Sequence, residues 1–148
     1  MAVPIRKQAA DEEPLAPPGR CGVAWGGARS SIAEARCAVR AFLARQGHRP
    51  ESRTSQDAQL VVSELVTNAI RHAPGPGELV LELQPRAGHL LIAVRDCSPA
   101  PPELREDDPA RVGGHGLRLV RRLCSHVWTV PAPPGKRVMA VLDLRAGG

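Results

Sequence analysis

The chain has 148 residues, enough for one domain with a substantial core. Its 43% hydrophobic and 24% charged residues are ordinary for a globular protein, and no apolar run approaches the roughly 20 residues of a membrane helix. Aromatic residues make up only 2%, leaving little for stacking on nucleic-acid bases, and the net charge of +5 favours an acidic partner, a nucleotide or a nucleic acid without choosing among them.

The cysteines lack any spacing typical of a zinc site, so we expect free thiols; they are Cys21, Cys37, Cys97 and Cys124. Free thiols are the rule in the cytosol. Arg6 and Lys7 are followed by no apolar stretch, so we expect no signal peptide, and we expect a cytoplasmic protein that does not contact a membrane.

The elements can be predicted in chain order from turn residues and apolar periodicity. Residues 1–20 contain four prolines and mixed charges and are expected to be a disordered tail, followed by one domain over 21–148. Within the domain we predict a strand at 21–25, a helix from Ser30 or Ser31 to near Gly47, a polar connection at 48–56, a helix at 57–73 capped by Asp57, strands at 78–83 and 89–95, a long loop at 97–114, a helix at 116–124 and strands at 126–130 and 137–144.

The most informative segment is the helix predicted over 57–73. Its apolar residues recur at helical spacing and form one face: Ala58, Val61, Val62, Leu65, Val66, Ala69 and Ala73. Glu64, Asn68 and His72 follow at intervals of four residues, so they form a line along the edge of that face. A half-buried carboxylate and amide are costly unless something uses them, and their oxygens suit a hard cation such as magnesium. A solvated helix edge is the alternative.

Two further features are consistent with a nucleotide site. Asp96 follows a predicted strand, where its carboxylate can accept a hydrogen bond from an exocyclic amine and so select adenine over guanine; a turn acid is the alternative. Gly113, Gly114 and Gly116 lie at the start of the next helix, where backbone N–H groups favour an anion; a simple helix-initiating turn is the alternative. Neither the Rossmann nor the Walker pattern is present.

Together, the segments ELVTNAIRHA, VRDCSP, GGHGLRLV and GKRVMAVL occur in an order that resembles the ATP-binding domain shared by histidine kinases, Hsp90, gyrase B and MutL. The resemblance is closest to small single-domain bacterial members, the anti-sigma factor serine kinases, and covers about residues 21–145. It implies a Bergerat fold, an α/β (α+β) two-layer sandwich whose mixed, mostly antiparallel sheet is covered by helices on one face. The predicted order of elements agrees with that fold.

The resemblance also implies roles for individual residues. Glu64 would be the catalytic general base, Asn68 would hold Mg²⁺ bridging the phosphates of ATP, and Asp96 would accept from the adenine amino group. The other implied nucleotide contacts are Arg71, His72, Ser98, Gly114, His115, Gly116, Leu117 and, in a supporting role in a turn before the last strand, Lys136. The segment 97–112 would be a short ATP lid. Ser98 stands where relatives often carry glycine, and His115 where they often carry arginine or a small residue.

The function implied is that of a serine/threonine protein kinase that binds a sigma factor and phosphorylates an anti-sigma antagonist protein. The same resemblance implies a homodimer, for which the first strand and helix are candidates. The alternative is an ATP-binding module that docks a partner with negligible kinase activity. A nucleic-acid-binding domain is disfavoured because Arg118, Arg121 and Arg122 are expected on a solvated helix face and no recognition helix is evident.

Overall fold

The computed structural model describes residues 19–26, 30–73, 75–84, 88–97 and 114–145. The elements in these residues are β1 (Arg20–Trp25), α1 (Ser30–Arg45), α2 (Arg53–His72), β2 (Gly77–Gln84), β3 (His89–Asp96), α3 (Gly114–Leu123), β4 (His126–Ala132) and β5 (Gly135–Asp143). The tail predicted over 1–20, except its last two residues, lies outside the described residues. So does the segment predicted as a lid over 97–112, except Cys97.

The strands form one sheet in the order β1-β2-β3-β5-β4, and every neighbouring pair is antiparallel. The helices form the second layer: α1 contacts β1, α2 contacts β2 and β3, and α3 contacts β4. The predicted two-layer α/β sandwich with helices on one face is therefore confirmed. The predicted sheet was mixed and mostly antiparallel, and in the described strands the pairing is antiparallel throughout.

The core lies between the sheet and the helices. Alternate residues of the central strands are buried on the helix-facing side, as the two-residue repeat of a strand requires: Leu79, Leu81, Leu90, Ile92, Val94, Ala140 and Leu142. Phe42 and Leu43 of α1 and Leu65 of α2 pack against them. Since burying one large aliphatic side chain stabilises by about 1.5–3 kcal/mol, this layer supplies most of the driving force for folding. The apolar face predicted for α2 is thus confirmed.

Helix α2 begins at Arg53, so the prediction of a polar connection over 48–56 with Asp57 as the cap was wrong. The N-cap is Ser52, whose hydroxyl oxygen accepts a hydrogen bond from the backbone N–H of Ser55 at 3.1 Å. The first turn is polar in sequence, yet two of its residues are buried, since Thr54 and Ser55 are 4% and 0% exposed. The Thr54 hydroxyl donates to the carbonyl of Leu144 at 3.3 Å, which ties this turn to the end of the sheet.

Other predicted helix and strand boundaries also differ from those in the structure. Helix α3 begins at Gly114, so Gly114 and Gly116 lie inside its first turn, whereas the prediction began the helix at Gly116. Strands β4 and β5 extend to Ala132 and from Gly135, so Lys136 lies in a strand and not in a turn. All four cysteines lie in the described residues and are free thiols, as expected. No helix of the described chain is both long and apolar enough to cross a membrane.

Candidate functional site

The predicted site residues lie on neighbouring elements. Helix α2 carries Glu64 and Asn68 and contacts both β3 and α3. Asp96 is the last residue of β3, and Leu117 lies in α3. The long apolar face of α2 fixes the helix on the sheet, so the polar line at the edge of that face is held beside the core. The elements that carry the helix motif, the strand-end acid and the glycine segment are therefore neighbours in the fold.

Asp96 is buried and forms an ion pair. Its residue exposure is only 4%, and its Oδ2 lies 2.8 Å from the Nζ atom of Lys136. The pairing of β3 with β5 explains this contact. Val94 lies opposite Val138 and Arg95 opposite Arg137, so continuing the ladder brings Asp96 beside Lys136. Both side chains lie on the helix-facing side of the sheet, where Asp96 and Lys136 are 5% and 14% exposed.

Two further contacts hold the turn between β4 and β5 against the end of β3. A side chain at Gly135 would overlap the backbone of Asp96, so this position requires a glycine for the close approach. Arg95 donates from Nη2 to the carbonyl oxygen of Pro133 at 3.1 Å. Neither Gly135 nor Arg95 could be assigned to the site from sequence. A glycine before a strand and an arginine within one are common, and only the strand register shows what they contact.

Asn68 carries an unsatisfied amide. Its Nδ2 atom is buried and makes no hydrogen bond within the part of the chain that the structure describes. A buried donor without a partner costs about 1–3 kcal/mol, so such a group in a folded protein calls for an explanation. Glu64, one helical turn earlier on the same line, is half-buried. A polar edge of this kind is suited to contact a ligand.

The structure describes the remaining predicted site residues to different extents. Arg71 and His72 lie exposed at the end of α2, and Leu117 is half-buried against the core. Gly114, His115 and Gly116 form the first turn of α3, where backbone N–H groups lack helical partners. Ser98 lies outside the described residues. The roles assigned to all of these residues stay predictions.

A family model described as the histidine kinase-like ATPase domain matches residues 28–142, from just before α1 almost to the end of β5. The chain belongs to this family. The resemblance inferred from sequence is thus confirmed at the level of the histidine kinase-like ATPase domain. Membership in this ATPase family supports ATP binding as the general activity of the domain. A comparison with curated protein sequences finds no match.

Solved structures of histidine kinases are similar to this ATPase-type domain. The histidine kinase domain of the blue-light activated histidine kinase from Erythrobacter litoralis is 26% identical, with a TM-score of 0.48, over 64% of this chain and 46% of that one. This chain thus spans less than half of the Erythrobacter chain. Two nucleotide-free forms of the catalytic domain of the histidine kinase ThkA are 15% and 16% identical, with TM-scores of 0.49 and 0.47. Each match covers 83% of this chain, and 95% and 96% of the ThkA chains.

Proposed function

We propose that this domain binds ATP with Mg²⁺ beside α2, α3 and the end of β3, and that it transfers the γ-phosphoryl group to a protein serine or threonine. The observation that carries the proposal is the buried Asn68 amide without a hydrogen-bond partner among the described residues. A phosphate oxygen or a phosphate-bound water at this edge of α2 would satisfy the Nδ2 donor. Family membership makes ATP the ligand to test first.

The end of β3 is suited to bind the adenine base of ATP. Asp96 lies there on the same side of the sheet as α2, so adenine bound to Asp96 would allow the phosphates of ATP to extend toward α2 and α3. Phosphates are favoured beside the first turn of α3 because the N–H groups of that turn and the helix dipole both attract anions. Gly114 and Gly116 have no Cβ atom, so the backbone at these positions can approach a phosphate closely.

The residues present fit magnesium held mainly by the nucleotide. Mg²⁺ in phosphoryl-transfer sites is held by one or two protein oxygens together with phosphates and water, and the Asn68 side-chain oxygen is such a ligand. In the described residues, no group of three or more His, Cys, Asp or Glu side chains forms a metal site by itself. When bound, the ion would neutralise charge on the transferring phosphates.

Glu64 supplies the proton acceptor in this proposal. The hydroxyl oxygen of the substrate forms a bond to the γ-phosphorus, the bond from that phosphorus to the bridging oxygen of ADP breaks, and the hydroxyl proton moves to the Glu64 carboxylate. Its half-buried position one turn before Asn68 supports this role, since both side chains then contact the same end of the nucleotide. The sequence resemblance to anti-sigma factor kinases supports an anti-sigma antagonist as substrate and a sigma factor as partner.

Calorimetric titration of the purified protein with ATP, with and without Mg²⁺, tests the nucleotide site. We expect binding that requires Mg²⁺ and that falls at least about tenfold in Asn68→Ala, a loss of about 1.4 kcal/mol. Gln56→Ala is the matched control, because it removes an amide from an exposed position on the same helix. A wild-type protein that binds no ATP overturns the proposal. ATP binding without transfer to any supplied antagonist favours the docking module over the kinase.

A further inference from the structure

The face of the sheet that points away from the helices, which we call the outer face, is apolar at its centre. The strand registers place its residues in adjacent rows, because residues paired across antiparallel strands lie on the same face. None of these side chains belongs to the core cluster or packs against it. The apolar residues at the centre of the outer face are Val80, Leu91, Ala93, Trp128, Met139 and Val141.

Two strands of the sheet have the composition of strands that are buried on both sides. β3 and β5 each contain a continuous apolar run, over 90–94 and 138–142. An antiparallel sheet with one face in water instead alternates apolar and polar residues. Trp128 of β4 is 43% exposed, and the register places it beside Met139 of β5. An exposed apolar patch that includes a tryptophan is typical of a protein–protein interface.

The charges beside this apolar centre differ between its two ends. At one end Arg95 and Arg137 lie directly opposite each other, and like charges in such a pair are destabilising. Glu78 lies on the other side of Arg95, farther from Arg137, and the buried Nε atom of Arg95 has no hydrogen-bond partner among the described residues. At the other end Asp143 lies on the same face of β5 as Arg137. Its side chain is 38% exposed, and both of its contacts with Arg145 use Oδ1.

We propose that two copies of this chain associate through their outer faces, related by a two-fold axis that runs across the strands, midway between the two sheets. This rotation reverses positions along each strand. Arg137 of each copy therefore lies over the end of β5 that carries Asp143 in the other copy, and the two apolar centres cover each other. Sheets that pack in this way lie about 10 Å apart, with their strands within about 30° of parallel.

A second copy accounts for both the apolar and the charged residues of the outer face. A two-fold interface uses the same surface of both copies, so that surface must be complementary to itself. The outer face meets this condition, because its cationic end and its anionic end lie on either side of one apolar centre. The proposed nucleotide site lies on the helix side of the sheet, so the dimer forms without ATP and this inference does not depend on the proposed function.

Sedimentation equilibrium of the full chain without nucleotide tests this interface. We expect a dimer of twice the 15.8 kDa chain mass, with a dissociation constant of about 1 μM or below. Met139→Lys and Trp128→Lys each place a charge in the apolar centre and should raise that constant at least about a hundredfold. Leu60→Lys is the matched control, because Leu60 is 40% exposed but lies on α2, on the helix side, and the constant should not change. Circular dichroism verifies that each variant is folded.

An exchange of charges tests the two-fold arrangement itself. Arg137→Asp and Asp143→Arg each bring like charges together between the copies, so each should raise the dissociation constant at least about tenfold. The double variant restores opposite charges and should bind within about threefold of the wild type. A double variant as weak as the two single variants overturns the proposed arrangement.

Two further results would overturn the interface. A wild type that stays monomeric at about 100 μM would mean that another segment of this chain or a different protein covers the outer face. A dimer that keeps its wild-type dissociation constant in folded Met139→Lys and Trp128→Lys would have its interface elsewhere, such as at β1 and α1. ATP binding is measured separately, so a protein that dimerises but binds no ATP overturns the proposed function alone.

Discussion

Gly135 lies directly against the main chain of Asp96, so closely that a methyl group at position 135 would overlap the Asp96 carbonyl. Gly135 does not have a positive φ, so the glycine is required by space and not by backbone conformation. Because Lys136 is the next residue, this approach of two backbones sets where the ammonium meets the carboxylate. The position of the Asp96 carboxylate and that of the Lys136 ammonium therefore both depend on how closely the end of β3 packs against the start of β5.

Gly135→Ala should separate these two backbones. We expect a loss of about 1–3 kcal/mol in the free energy of unfolding, the usual effect of forcing an added methyl group into a packed region, together with weaker ATP binding. Urea denaturation measures the first effect and calorimetry the second. Gly22→Ala is the matched control in an edge strand, because its new methyl group would meet only a carbonyl oxygen at 3.9 Å. Equal stability losses in both variants would contradict the packing argument.

Glu64→Gln should separate binding from chemistry. The amide keeps the shape of the carboxylate but cannot accept the hydroxyl proton, so we expect ATP affinity within about threefold of wild type and a loss of transfer of about a hundredfold or more. A phosphorylation assay with radiolabelled ATP and an anti-sigma antagonist measures the transfer. Phosphoryl transfer by Glu64→Gln at the wild-type rate would show that Glu64 is not the general base.

Leu65→Ala should show how strongly α2 depends on the core. Leu65 is 2% exposed, and truncating such a side chain leaves a cavity that costs about 2–5 kcal/mol. Leu60 on the same helix is 40% exposed, so Leu60→Ala should change the free energy of unfolding by no more than about 0.5 kcal/mol. The two variants remove the same atoms from one helix. Similar urea midpoints for both would be inconsistent with the packing described.

Ser52→Ala tests the observed start of α2. The Ser52 hydroxyl accepts from the backbone of Ser55, and loss of an N-cap of this kind costs about 1 kcal/mol. Thermal unfolding followed by circular dichroism measures the effect. Asp57→Ala removes the side chain at the position first predicted to be the cap, and it should cost less. A larger loss from Asp57→Ala than from Ser52→Ala would instead favour a helix that begins at residue 57.

Cys124 should resist modification in the folded protein. Burial, with a smaller contribution from the negative charge of Asp57, raises the pKa of this thiol from 9.0 to about 12. The thiolate is the reactive form, so at pH 8 we expect iodoacetamide to modify the exposed Cys37 and Cys97 but to reach Cys124 only after unfolding. Mass spectrometry of tryptic peptides distinguishes these sites. Cys124 labelled as quickly as Cys37 would contradict its burial.

The same pKa has a consequence for stability. The folded state holds the Cys124 proton more tightly than the unfolded state, whose thiol loses its proton near pH 9. The stabilising contribution is therefore complete below about pH 9 and is lost as the pH rises toward about 12. Urea denaturation at pH 8 and pH 10 should show this decline, and Cys124→Ala should reduce it.

The sequence predicted the parts of the fold that depend on local pattern. The apolar positions of α2 follow helical spacing, and the sites predicted to be buried, such as Val61 and Leu65, are buried. The first turn of α2 escaped prediction because Thr54 and Ser55 are polar, and polar residues before a helix usually belong to a connection. Only the tertiary contact of Thr54 with Leu144, far along the chain, shows why they are buried.

Individual residues of the candidate site could be predicted from sequence, but the contact between Asp96 and Lys136 could not. Asp96 could be found at a strand end, and Lys136 could be found beside a glycine. Their ion pair depends on β5 lying next to β3, with β4 outside it, and no local pattern specifies this order of strands. Register between strands that are distant in sequence is set by packing of the whole sheet.

The adjacency of β3 and β5 has an evolutionary consequence. The strand on one side of β3 is β5, which begins at Gly135, and the chain forms α3 and the outer strand β4 before it reaches this position. Closing a loop costs only about 0.6 kcal/mol more for each doubling of its length. The contact between Asp96 and Lys136 is set by the pairing of β3 with β5, so we expect it to persist among descendants in which the sequence between these strands differs in length. Selection can in this way change that sequence without changing this end of the sheet.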